Sequence, residues 1–78
     1  MGKDMLVDEF LLVVADALEV DVSEISLETD MADLEQWDSL GHLTLLSAID
    51  KATDGAASKI NSITEMTNVG DLYSAITK

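Results

Sequence analysis

The chain has 78 residues, and its 16 acidic side chains against four basic ones give it a formal charge of −12. This charge argues against nucleic acid and anionic membranes as partners and favours basic protein surfaces. Hydrophobic residues make up 47% of the chain, which is too many for intrinsic disorder, and the absence of cysteine excludes disulfides and thiolate metal sites.

The longest apolar run, Phe10 to Ala15, is far too short to cross a bilayer. No basic segment typical of a signal peptide opens the sequence. We therefore expect a cytoplasmic, monomeric protein without membrane insertion, with a single domain over residues 1–78.

Apolar residues at helical spacing predict a first helix from about Asp4 to Glu19. The inward stripe of this helix consists of Leu6, Phe10, Val13, Val14 and Ala17. The acidic residues of the same segment fall on the opposite side: Asp8, Glu9, Asp16 and Glu19. This distribution is typical of an amphipathic helix packed on a core.

Residues Val20 to Trp37 predict a long surface loop, because acidic and hydroxyl residues alternate there with isolated apolar ones. The expected anchors of the loop to the core are Val22, Ile25, Leu27, Met31 and Leu34. The acidic stretch from Glu19 to Asp30 invites a calcium-loop interpretation. It fails the template because Ser26 or Glu24 stands where the turn glycine belongs, so we expect no specific metal site.

The second predicted helix runs from Ser39 to Ala52, with Asp38 as its N-terminal cap. On a helical plot its broad apolar face consists of Leu45, Leu46, Ala48, Ile49 and Ala52. The outward side consists of Leu40, Leu43, Thr44, Ser47 and Lys51. Two outward leucines beside Ser39 predict a small docking patch. The alternative is that they cover residues of the preceding loop.

Shorter elements are predicted after the second helix. Asp54 and Gly55 mark a turn, and residues 56–59 are expected to be loop. Ser62 and Glu65 have capping-box spacing, which predicts a one-turn third helix. The residues expected to face inward there are Ile60, Ile63 and Met66.

Asn68, followed by Asp71, is a weaker cap signal for a last helix. The apolar residues that this helix would carry are Val69, Leu72, Tyr73 and Ile76. The predicted fold is therefore all-α: a small four-helix bundle with a long loop between helices one and two and a short third helix.

Asp38-Ser39-Leu40 is the most informative motif, because it places a serine hydroxyl at a helix start. Unpaired N–H groups and the positive end of the helix dipole would hold a phosphate ester on Ser39 at low cost. The structural alternative is that Asp38 caps the helix and Ser39 is merely its first residue. The tripeptide alone does not decide between the two.

The wider segment WDSLGHL, residues 37–43, sits in an acidic chain of this length after a long helical pattern. In this context it resembles the acyl carrier proteins, over roughly residues 10–76. The resemblance implies that Ser39 carries 4′-phosphopantetheine, derived from coenzyme A, through a phosphodiester. It makes Asp38 the acidic neighbour of that site and Leu40 an apolar residue that partner enzymes contact.

The resemblance also implies partners: a phosphopantetheinyl transferase and acyl-transferring or chain-elongating enzymes with basic or apolar docking patches. Residues expected to take part in recognition are Leu40, Leu43, Thr44, Ser47, Glu35 and Trp37. A short acyl cargo is expected to shelter between helices two and three. The residues of that cargo pocket would be His42, Leu46, Ile49 and Ile63.

Three departures from the family pattern favour a specialised carrier over a housekeeping one for fatty-acid synthesis. Thr44, Ser47 and Lys51 leave the outward face of the second helix almost uncharged. Glu35-Gln36-Trp37 stands where a glycine often precedes the motif, and Gly41 stands where an acidic residue is common. The sequence does not determine whether the cargo is a fatty-acid, a polyketide or another acyl intermediate. Asp directly before the serine is more similar to acyl carriers than to peptidyl carriers.

The sequence offers little for catalysis, so we expect no enzyme activity. Its lone histidine, His42, lies one turn after Ser39 and is interpreted as a polar helix residue in preference to a general base. The class-level alternative to a carrier is an acidic helical interaction module without a prosthetic group, responsive to divalent cations.

Overall fold

The computed structural model describes residues 5–60 and 62–77 of the chain. In these ranges it is all-helical, with three α-helices: α1 (Val7–Leu18), α2 (Ser39–Ala52) and α3 (Val69–Thr77). Short 3-10 turns lie in the connections, at Val22–Glu24, Met31–Asp33, Ala57–Lys59 and Ile63–Glu65. The all-α prediction is confirmed. A four-helix bundle is not, because the predicted third helix is a single 3-10 turn, Ile63–Glu65.

Helix α1 begins at Val7, later than the predicted start at Asp4, which lies outside the described residues. Phe10 and Val14 are fully buried, as the apolar stripe predicts. Leu6 is not: it precedes the first helical residue and is 64% exposed. Because its backbone is extended, its side chain does not continue the helical stripe.

The long loop before α2 is held to the start of α3 by backbone hydrogen bonds. Met31 N–H donates to the Thr67 carbonyl at 2.7 Å, and Val69 N–H donates to the Thr29 carbonyl at 2.9 Å. Ile25 is buried as expected, whereas Val22 is exposed and does not anchor the loop. The partly buried apolar residues of the loop are Leu27, Met31 and Leu34.

The core lies between α1, α2 and α3 and is closed by the loop and the turns. Its largest fully buried side chains are Trp37, Phe10, Leu45, Ile49, Leu72, Val14 and Val69. Phe10 of α1 and Tyr73 of α3 place their ring centroids 5.3 Å apart. Aromatic pairs at this separation add to the stabilisation that burial provides.

After α2, the structure agrees only in part with the elements that the sequence predicts. Asp54 and Gly55 form the expected turn, with positive φ angles of 55° and 88°. Residues 57–59 form a 3-10 turn where loop was expected, and Ser62 makes no side-chain cap bond, so the predicted capping box is absent at that turn.

Helix α3 begins as predicted: the Asp71 N–H donates to Asn68 Oδ1 at 3.1 Å. Val69 and Leu72 are buried, and Tyr73 and Ile76 pack against the core. Within the described ranges, no helix combines the length and hydrophobicity that a membrane span requires.

Candidate functional site

Ser39 is the first residue of α2, as the sequence predicts. Asp38 before it is extended, and its Oδ1 accepts a hydrogen bond from the Gly41 N–H at 2.8 Å. Asp38 is therefore the N-cap, which satisfies one of the backbone donors that every helix start leaves unpaired.

The Ser39 side chain is exposed, and within the described residues its hydroxyl makes no hydrogen bond. The backbone N–H groups of Ser39 and Leu40 are also without acceptors in that part of the chain. These donors, together with the helix dipole, favour negative charge beside the hydroxyl. A substituent on the Ser39 oxygen would therefore break no hydrogen bond of the described residues.

An apolar patch adjoins this hydroxyl on the outward face of α2. Leu40 is 74% exposed and Leu43 is 63% exposed, so neither leucine covers the preceding loop. Their neighbours Thr44 and Ser47 are also exposed, as is Glu35 in the loop. We name Leu40 and Leu43 the leucine patch. Its exposure matches the predicted outward side of α2.

Two open concavities follow the seam between α1 and α2. The larger, of about 740 Å³, is lined by Val13 and Asp16 of α1 and by α2 residues from Leu43 to Ala52. The smaller, of about 290 Å³, lies at the start of α2 and includes Asp38, Leu40 and Gly41. The contribution of α1 to this surface was not predicted, because helix pairing is not encoded in the periodicity of a single helix.

Trp37, expected to be a recognition residue, is instead in the core, with 2% of its surface exposed. Its Nε1–H donates to His42 Nδ1 at 2.9 Å, and the two rings stack with an interplanar angle of 26°. A side chain buried in this way has no surface to offer a partner. Trp37 fixes the residues before Ser39.

His42 is also buried, at 8% exposure, and both of its ring nitrogens have partners. Nδ1 accepts from the Trp37 indole, which is a donor only. Nε2 lies 2.9 Å from the Thr64 carbonyl oxygen, which accepts only, so Nε2 carries the proton. His42 therefore has no free nitrogen to act as a base for Ser39, in agreement with its interpretation as a polar helix residue.

Three of the four residues of the expected cargo pocket are buried in the core, and Leu46 is partly buried. Ile49 and Ile63 are buried with His42, and Leu46 packs against this cluster. The physical reason is the short turn Ile63–Glu65, which lies directly on α2. Cargo would have to displace core side chains to enter between them.

Gly41 has a structural role that the sequence shows only indirectly. A Cβ atom at this position would overlap the backbone carbonyl oxygen of Gln36. Any larger residue would push the loop away from the start of α2. A glycine inside a helix costs about 1 kcal/mol relative to alanine, so its presence in the first turn is a signal of such close packing.

No cluster of three or more His, Asp or Glu side chains suited to a metal ion occurs within the described ranges. Comparison of the chain with protein-family models, with curated proteins and with solved structures found no match. The local chemistry around Ser39 is therefore the basis for a functional assignment.

We expect Asp38→Ala to lower the free energy of unfolding by about 1 kcal/mol, because the Gly41 N–H loses its acceptor. Urea unfolding followed by circular dichroism measures this. Glu35→Ala is the matched control, since it removes an exposed carboxylate that makes no cap bond, and should change stability by less than about 0.5 kcal/mol. Equal losses in the two variants would show that charge, not capping, is being measured.

Proposed function

We propose that this protein is an acyl carrier protein that bears 4′-phosphopantetheine on Ser39. The observation that carries the proposal is the exposed, uncommitted Ser39 hydroxyl at the capped start of α2, inside the WDSLGHL segment. The phosphopantetheine arm, which coenzyme A supplies, ends in a thiol that carries acyl groups as thioesters. The resemblance of the segment to the family supplies this chemistry, and the local geometry is compatible with it.

The protein is proposed to deliver acyl groups and not to make or break their bonds. His42 is not available as a general base for Ser39, since both of its ring nitrogens are engaged. We expect the transferase to supply the base that activates the Ser39 hydroxyl. A tethered arm then raises the effective concentration of the acyl group at each enzyme the carrier meets.

Recognition by those enzymes is proposed to depend on the leucine patch and on rim acids. Thr44 and Ser47 leave the outward face of α2 mostly uncharged beside Leu40 and Leu43. Buried apolar anchors chiefly set the dissociation rate, and rim charges such as Glu35 chiefly set the association rate. A dedicated partner with an apolar docking patch fits this surface better than a partner that recognises a row of acidic side chains on a helix.

The alternative is an acidic helical interaction module without a prosthetic group. The net charge of −12 and the exposed acids favour binding to basic proteins in either case. Covalent modification of Ser39 separates the two hypotheses, because only the carrier requires a group attached to that hydroxyl.

Incubation with a phosphopantetheinyl transferase and coenzyme A should add the mass of one phosphopantetheine group, as measured by intact-protein mass spectrometry. Ser39→Ala should abolish the addition without loss of helical content, because Asp38 supplies the cap. Ser47→Ala, an exposed serine of the same helix, is the control and should still be modified. An unmodified wild-type protein would favour the interaction module.

Leu43→Ala should slow acyl transfer by a cognate enzyme more than raising the salt concentration does, because apolar contact outweighs rim charge in this account. Transfer rates measured with the loaded carrier test this. Leu12→Ala removes a leucine of α1 that is 56% exposed and should have little effect. If added salt slows transfer more than Leu43→Ala does, the partner recognises the charged residues and not the leucine patch.

A further inference from the structure

The only tryptophan and the only histidine of this chain meet in its interior. Trp37 Nε1 and His42 Nδ1 are 2.9 Å apart, and the ring centroids are 6.0 Å apart. His42 and Thr29 are the buried polar residues among those described. A buried polar side chain of this kind is stable only while its hydrogen-bonding groups are satisfied.

The pair is compatible with one protonation state of the imidazole. The indole N–H can only donate, so Nδ1 must have a free lone pair. The Thr64 carbonyl can only accept, so Nε2 must carry hydrogen. Both conditions hold in the neutral ring with the proton on Nε2.

A second proton would bind at Nδ1 and point at the Trp37 N–H. The hydrogen bond would be replaced by two facing donors, and the indole N–H would be left buried without an acceptor. The bond therefore exists only with the neutral ring and is lost when Nδ1 is protonated. Histidine is the side chain that ordinarily changes charge between about pH 5 and 8.

No buried carboxylate is available in ranges 5–60 and 62–77 to pair with a protonated ring. The charged side chains on the elements around α2 are exposed: Asp8, Glu9, Asp16, Glu35, Asp38, Lys59 and Glu65. On α2 itself Lys51 is exposed and Asp50 is partly buried, its Oδ1 accepting from the Ser58 N–H at 2.9 Å. Protonation is thus not compensated by a new buried ion pair.

His42 contacts the two residues that precede Ser39. Its backbone N–H donates to the Asp38 carbonyl at 2.7 Å, and its ring accepts a hydrogen bond from Trp37, the residue before Asp38. Ser39 directly follows these two attachments. Loss of the ring contact would free the residues that lead into the helix start.

We propose that His42 is a pH-sensitive positioning residue: its neutral ring fastens the segment 37–39 for modification, and protonation releases that segment. This inference concerns regulation of Ser39 and to that extent rests on the proposed carrier function. The fastening itself is a property of Trp37 and His42 and can be measured without any modification.

The matched variant is His42→Gln. Its amide can accept from the indole and donate to Thr64, as the neutral imidazole does, but does not titrate. NMR follows the Trp37 indole N–H and the ring nitrogens of His42 from pH 8 to pH 5, and each signal is unambiguous because the residues are unique. In the wild type, the chemical shift of the indole N–H should change with the same midpoint as Nδ1 protonation. In His42→Gln it should stay constant.

A wild-type indole signal that stays constant while the ring protonates would overturn the proposal, as would an equal pH response in His42→Gln. If His42→Gln does not fold, Trp37→Phe takes its place. It removes the donor, so the pH dependence of thermal stability should be weaker than in the wild type. An unchanged dependence would again refute the proposal.

The second readout is the initial rate of modification with one transferase at each pH, expressed as wild type relative to His42→Gln. This ratio cancels the pH dependence of the enzyme. It should be near one at pH 8 and fall on the order of five-fold when the ring is protonated. If the wild-type rate divided by the His42→Gln rate stays near one both at pH 8 and after the ring is protonated, the positioning role is refuted. Absence of modification in both proteins refutes the carrier assignment and leaves the NMR result to decide the fastening.

Discussion

The hydrogen bond from the Trp37 indole to His42 joins the end of the long loop to the first turn of α2, two residues before Ser39. Trp37 is almost fully buried, so its side chain anchors the end of an otherwise exposed loop segment in the core. At the same place Gly41 lets the Gln36 carbonyl approach the first turn. His42 completes the arrangement by holding the turn at Thr64 through its other nitrogen.

These constraints bear on a requirement of the proposed modification at Ser39. The hydroxyl must be exposed to an enzyme, yet the backbone that carries it must have a defined geometry. Here rigidity comes from the buried side chains on either side, Trp37 and His42, and from the Asp38 cap. Ser39 itself takes part in none of these contacts. The site can therefore be altered chemically while the contacts that hold it stay in place.

Local signals in the sequence were sufficient to predict α2, whose bounds and Asp38 cap match the structure. They were also sufficient to predict the Asn68 cap of α3. They were insufficient where the outcome depends on tertiary packing. Trp37 is an apolar residue in an acidic loop, and nothing local tells whether it faces the core or a partner. The His42 contact with Thr64 joins residues 22 positions apart, which helical periodicity does not encode. The burial of Ile63, next to Thr64, is likewise a product of long-range packing.

Protein isolated from its native cells would reveal whether Ser39 carries phosphopantetheine. Peptide mass spectrometry of that protein would report the modification, its position and any acyl group on the arm. We expect a fraction of the molecules to carry one phosphopantetheine group, on Ser39 alone. A Ser39 that is unmodified in all molecules, or an arm on another serine, would contradict this expectation.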